Sequence, residues 1–148
     1  MAVSISMIYL PDVNVWVALA SDQHIHHSPA KNWFQSRGRE QIAFCRITEL
    51  GFLRLLTNSR VMGNDVLNPA RAWQVYDELR ADPQIIFLPE QAGFDIAWKQ
   101  IGTQIIGGPN AWTDAYLAAI AAHMNATVVT FDQRFRAFGS CTVHRLPV

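Results

Sequence analysis

An α/β fold built on a mostly parallel sheet is what this sequence predicts, and two observations predict it. Short β-rich runs, Ile8 to Leu10, Gln41 to Phe44, Ile85 to Leu88, Thr127 to Phe131 and Thr142 to Leu146, alternate with longer segments of helical period. The helical segments also carry legible ends. Asn68-Pro69 reads as an N-cap followed by proline at the first helical position, after which Pro69, Ala72, Trp73, Tyr76 and Leu79 form one apolar stripe. The preceding stretch, residues 58–68 (NSRVMGNDVLN), is polar and contains glycine, so it reads as a connection leading into a helical hairpin. From Asp114 to Met124 (DAYLAAIAAHM) the chain is apolar nearly all round and rich in alanine, which suits a helix packed closely between the sheet and another layer. Asn125 is its left-handed stop.

Composition bounds the rest. The 148 residues are half hydrophobic, enough for one domain with its own core. No run approaches the roughly 20 apolar residues of a membrane span, and MAVSISMIYL has neither a basic n-region nor a cleavage site, so a soluble cytoplasmic protein is expected. Cys45 and Cys141 lack metal or redox spacing and read as buried free thiols. Twelve basic residues balance twelve acidic ones, which excludes a bulk electrostatic nucleic-acid binder. All the basic residues but Lys31 and Lys99 are arginine, which offers phosphate a donor fork.

Acids at element ends carry the chemistry. Asp12 ends the first strand in IYLPD, and Asp132 ends a later one in TVVTFD; if those strands are neighbours, the carboxylates converge where ligands bind in open α/β sheets. Glu49 and Asp114 stand at helix starts, where the helix dipole favours a carboxylate and capping alone would account for either one. Four carboxylates at one sheet edge repel unless a cation neutralises them. All-oxygen ligands select Mg²⁺, for which Mn²⁺ can substitute, and metal-assisted phosphodiester hydrolysis is the reaction class that follows.

The order and context of these acids resemble a known family. LPDVNVWVAL around Asp12, RITELGFLRLL around Glu49, WTDAYLAAIAA around Asp114 and VVTFDQRF around Asp132 look like the four-acid signature of PIN-domain nucleases, and of VapC toxins in particular. The resemblance runs from the first strand to the end of the chain. It implies a PIN-like three-layer α/β/α fold with four to five strands, and a Mg²⁺-dependent endoribonuclease in which Asp12, Glu49, Asp114 and Asp132 are both the catalytic residues and the metal ligands. It also implies cleavage of a structured RNA such as ribosomal or transfer RNA, leaving 5′-phosphate and 3′-hydroxyl ends. A homodimer and a neutralising VapB-type antitoxin belong to the same picture. Asn14, Thr48 and Thr130 are candidates to hold the carboxylates or metal waters from behind. One departure stands out: where many PIN domains carry a further acid just after the fourth, Gln133, Arg134 and Phe135 follow Asp132.

Other residues weigh less. Arg46 and Arg134 adjoin the acids in sequence and are candidates for phosphate contact, and Trp112, beside Asp114, for contact with RNA. Trp16, Trp33, Trp73 and Trp98 fall in helical segments and read as core or dimer contacts. His24, His26 and His27 lack a completing ligand and read as a solvated loop. Gly107-Gly108-Pro109-Asn110 has no phosphate-loop spacing and reads as a turn. The rival readings are a phosphoacceptor signalling domain, a non-catalytic RNA-binding domain and a stand-alone RNA-processing nuclease. The first wants a lysine after a late strand, and neither Lys31 nor Lys99 is placed there.

Overall fold

The computed structural model describes residues 7–138 and 141–147. The start of the chain, read above for the absence of a targeting signal, lies outside the described residues at positions 1–6. Five strands, β1 (Ile8–Pro11), β2 (Gln41–Phe44), β3 (Ile85–Phe87), β4 (Thr127–Thr130) and β5 (Thr142–Arg145), form one sheet in the order β3-β2-β1-β4-β5. Every pairing is parallel, with Tyr9 opposite Ile42 on one side of β1 and Leu10 opposite Val128 on the other.

Alternation along the strands creates the layers, because successive side chains point to opposite faces. Tyr9, Ile42, Phe44 and Val129 face one core, filled by helices α1 (Val13–Ala20), α2 (His27–Gln35), α3 (Arg46–Leu56) and α5 (Pro69–Arg80). Leu10, Ala43 and Val128 face the other, filled by α6 (Phe94–Gly102) and α7 (Ala111–Met124). The central strands are therefore buried on both faces, which is why they read as continuous apolar runs. In the first core Trp16 stacks on Phe44 with ring centroids 3.8 Å apart. Helices α1 and α3 approach so closely that a Cβ on Gly51 would stand 2.6 Å from Val13 Cγ2.

Most predicted boundaries hold to within a residue or so, and the exceptions have physical causes. Residues 58–68 are not a plain connection, for they wind into α4 (Ser59–Met62) and a 3-10 turn (Gly63–Asp65) before α5. Asn68 caps α5 as predicted, accepting from Arg71 N–H at 2.8 Å. Of the α5 stripe, Ala72 and Tyr76 are buried, but Trp73 stays 47% exposed, edge-on to Tyr76. The alanine-rich helix begins at Ala111, three residues before Asp114, and ends at a left-handed Asn125. Helix α6 contains Trp98, which the sequence placed in a helical segment; it opens behind Gly93, which takes a positive φ of 85°. Both cysteines are buried and free.

The chain passes from β1 outward to β2 and β3, then returns to place β4 on the other side of β1. That reversal is a topological switch point, and it opens a crevice at the carboxyl ends of β1 and β4.

Candidate active site

Asp12 lies at that crevice. It follows β1 directly and caps α1, its Oδ1 accepting from Val13 N–H at 2.7 Å and its own N–H donating to Val129 O on β4 at 2.8 Å. Its second oxygen accepts from the Thr130 hydroxyl at 3.2 Å. The same hydroxyl oxygen accepts from Asp132 N–H at 3.0 Å, so Thr130, fully buried at the end of β4, ties the two acids together. Asp132 accepts from Arg134 N–H at 2.8 Å, which closes the turn beyond the strand. The third acid arrives from the opposite direction. Helix α7 precedes β4 and runs back across the sheet, so its first turn, with Asp114, returns to the carboxyl ends of the strands.

The three aspartates also bear on one another electrostatically. Burial first, and then the charges of Asp12 and Asp132, together push the Asp114 carboxyl up to about 6. Asp12 is also raised, by burial first and by Asp132 last, against the lowering hydrogen bonds from Val13 and Thr130. Each shift has the sign of anions crowded in a poorly solvated site. Among the described residues the ion pairs are Arg37 with Glu40, Arg46 with Glu49 and Arg71 with Glu78, so none of the three aspartates is neutralised by a side chain.

Glu49 has a cation of its own. It is buried in the first turn of α3, with Oε1 2.6 Å from Arg46 Nη1, and its charge bears on Tyr76, whose hydroxyl burial and Glu49 together push up to about 12. It is not among the groups that shift Asp12 or Asp114. Among the described residues no group of three His, Cys, Asp or Glu side chains is already drawn together closely enough to hold a metal ion. The aspartate trio still fits a hard divalent cation: its donors are all carboxylate oxygens, its charge is unneutralised, and the water that Mg²⁺ retains completes such shells.

A groove of about 360 Å³ runs from Asp114 and Asp132 past Asn110, Arg134 and Arg136 to Phe138. Arg134 is therefore where its sequence neighbourhood put it. Arg136 was missed, although its spacing two residues beyond Arg134 in DQRFRAF would have flagged it. Its guanidinium donates to Gln104 O at 3.1 Å and lies over the Phe138 ring. Gly107-Gly108-Pro109-Asn110 does form a turn, with Gly107 at φ 105°, and it borders this groove.

The remaining candidates scatter. Thr48 is spent within α3, accepting from Cys45 N–H at 2.9 Å and donating to Cys45 O at 3.0 Å. Asn14 is exposed on α1, and among the described residues it makes no side-chain hydrogen bond to the acids. Trp112 is 60% exposed, but its ring turns toward Trp98 of α6. Trp16 and Trp33 are core, as read. The histidines are less solvated than expected: His26 stacks on Phe131 and His27 Nδ1 lies 2.7 Å from Ala18 O.

Comparison with known proteins decides the family. The PIN-domain family model matches residues 9–140, which run from β1 through β4 and include the trio and the groove. The chain belongs to the PIN-domain family. Ribonuclease VapC41 of Mycobacterium tuberculosis is 34% identical over 142 residues, covering 93% of this chain and 97% of its own. Ribonuclease VapC38 of the same organism is 37% identical over 123 residues, covering 83% and 84%. Two solved structures share the fold. VapBC2 from Rickettsia felis, bound to a DNA fragment from its promoter, has a TM-score of 0.71 at 16% identity and covers 95% of this chain and 100% of its own. VapC20 of M. tuberculosis, described as a sarcin-ricin loop cleaving toxin, has a TM-score of 0.67 at 18% identity and covers 94% and 99%. In this PIN domain Asp12 and Asp132 follow the adjoining strands β1 and β4 and are tied through Thr130, and Asp114 shares a groove with Asp132. Among the described residues, none of its helices is long and apolar enough to cross a membrane.

Proposed function

We propose that this PIN domain is a metal-dependent endoribonuclease, the toxin of a VapBC-type pair, and that Asp12, Asp114 and Asp132 hold its divalent cation. The observation that carries the reading is the convergence of three unneutralised aspartates from three separate segments, with Asp114 raised to about 6 by burial and by the other two. Mg²⁺ is the natural occupant, with Mn²⁺ as a substitute. When bound, the cation supplies Lewis-acid activation of water and charge neutralisation at the phosphodiester.

The chain's own residues do the rest. Val13 N–H and the Thr130 hydroxyl hold both Asp12 oxygens, so that carboxylate is oriented before a ligand arrives. Arg134 N–H fixes Asp132 in the same way. Arg134 and Arg136, in the groove beside the trio, receive the flanking phosphates. Glu49 is not a direct ligand in this reading; paired with Arg46, it sets the position of that guanidinium at the end of the neighbouring strand.

Family relationship supports the finer points. A relative at 34% identity is a VapC ribonuclease, and a fold neighbour is described as cleaving the sarcin-ricin loop, so a structured RNA cut at a defined site, with 5′-phosphate and 3′-hydroxyl products, is the substrate reading. Fold neighbours solved as VapBC complexes support a VapB-type antitoxin, and we extend this to a cytoplasmic homodimer built from one nuclease domain per chain. The test is 5′-end mapping of total bacterial RNA incubated with the purified protein and Mg²⁺, beside EDTA and D132N controls. New 5′-phosphate ends at a few sites, absent from both controls, establish the activity; ends that persist in both controls overturn it.

A further inference from the structure

A second hollow, of about 290 Å³, opens at the carboxyl ends of β2 and β3 and is lined by Arg46, Phe87, Leu88, Pro89, Glu90 and Tyr116. It lies along the same sheet edge as the aspartates. With strands about 4.8 Å apart it stands about two strand spacings away, within a nucleotide or two along a bound strand. Helix α7 divides the two places: Asp114 and Tyr116 are two residues apart, so they point to opposite sides of its first turns. Aromatic rings line the Tyr116 side, with Trp98 edge-on to both Trp112 and Tyr116.

We propose that this hollow is a base-binding subsite that selects guanine in the RNA; the proposal rests on the nuclease reading above and adds the sequence preference of its substrate. Each surface of the hollow suits one part of a nucleotide. The Arg46 guanidinium lies 4.7 Å from the Phe87 ring centroid and is 70% exposed, which leaves a planar, cationic face on which a base can stack. Glu90 provides the selection. Its Oε1 accepts from the Tyr116 hydroxyl at 2.5 Å, which fixes the carboxylate, while among the described residues Oε2 has no hydrogen-bond partner. A carboxylate oxygen has two lone pairs, so both Glu90 oxygens can still accept a hydrogen bond.

Only guanine offers two adjacent N–H donors, N1–H and the N2 amine, to such a pair of acceptors. Adenine and cytosine place a ring acceptor beside the amine, and uracil flanks its one donor with carbonyls, so each would set a lone pair against the carboxylate. An anion is otherwise a poor choice on a surface meant for RNA, and Arg46 beside it supplies the compensating charge for the phosphate.

Nuclear magnetic resonance titration of the full chain with guanosine, inosine and adenosine 5′-monophosphates tests the subsite without any cleavage. Guanosine monophosphate is expected to shift the amides of Leu88, Glu90 and Tyr116 and to bind at least fivefold more tightly than adenosine monophosphate. Inosine, which keeps N1–H and lacks the amine, should fall between them, and E90Q should erase the order. Cut-site mapping on a randomised single-stranded RNA is the second arm: guanine enriched at a fixed offset from the cut in wild type, and at least fivefold less enriched in E90Q. Equal shifts by the three nucleotides, or an enrichment that E90Q leaves unchanged, would overturn the subsite while leaving the nuclease intact. Glu90-dependent guanosine binding by a protein that cuts no RNA would support the subsite and overturn the nuclease reading.

Discussion

At the ends of β1 and β4, Asp12 and Asp114 are held above the ordinary carboxylate range with no side-chain cation beside them, whereas at the ends of β2 and β3 each carboxylate has a partner. There Glu49 is paired with Arg46 and Glu90 accepts the Tyr116 hydroxyl. Both places lie on one edge of one sheet and have acids at the starts of helices or beyond strands. The difference is clearest at Glu49, to which the protein supplies its own cation in Arg46, whereas none of the three aspartates has one. An acid that the fold leaves unpaired and half-buried costs stability, which a bound cation recovers.

The largest expected effect comes from breaking the unpaired site. D114N should lower RNA cleavage by at least about a thousandfold, because it removes a ligand of the cation that activates water and stabilises the developing charge, with an unchanged circular dichroism spectrum. D12A should be as inactive but also less stable, by about 1 kcal/mol, because Asp12 caps α1 as well. A gel-based cleavage assay and a denaturant melt separate the two effects. E49Q, in the paired region, should cost far less activity than either; a loss equal to that of D114N would return Glu49 to the metal-ligand set.

Packing offers a control of intermediate size. G51A forces α1 and α3 apart at Val13, and overpacking of about 1–3 kcal/mol should exceed the gain of about 1 kcal/mol from replacing a helical glycine. The melting temperature should fall while kcat at permissive temperature is kept; a rise would mean that the Val13 contact yields.

The smallest effect is the pH dependence. Asp114 has a folded-state pKa raised from 3.8 to about 6, so in the metal-free protein its contribution to stability is full below about pH 4 and is lost as pH rises through about 6. Because the group is partly exposed, the loss should be only about 1 kcal/mol, or a few degrees of melting temperature in EDTA. Wild type should thus lose more than D114N between pH 4.5 and 7, and identical slopes would contradict the crowding.

The sheet and the trio were legible in the sequence because their signals are local: β-branched runs, an Asn-Pro cap, and acids immediately after Leu10-Pro11 and Thr130-Phe131. Glu49 was legible as an acid at a helix start, but its pairing with Arg46 depends on rotamers that sequence does not carry. The helical segment around Trp98 was legible, but the start of α6 was not, because it opens at Gly93, a left-handed position that looks like a turn. Arg136 and Glu90 matter only through what faces them across loops, and that arrangement is set by tertiary packing.

The most direct test of the central claim is Mn²⁺ binding followed by electron paramagnetic resonance in wild type, D114N and E49Q. Tight binding by wild type, at least tenfold weaker binding by D114N and an affinity within about threefold of wild type for E49Q are the predicted results. Undiminished binding by D114N would contradict the assignment of the cation to the three aspartates.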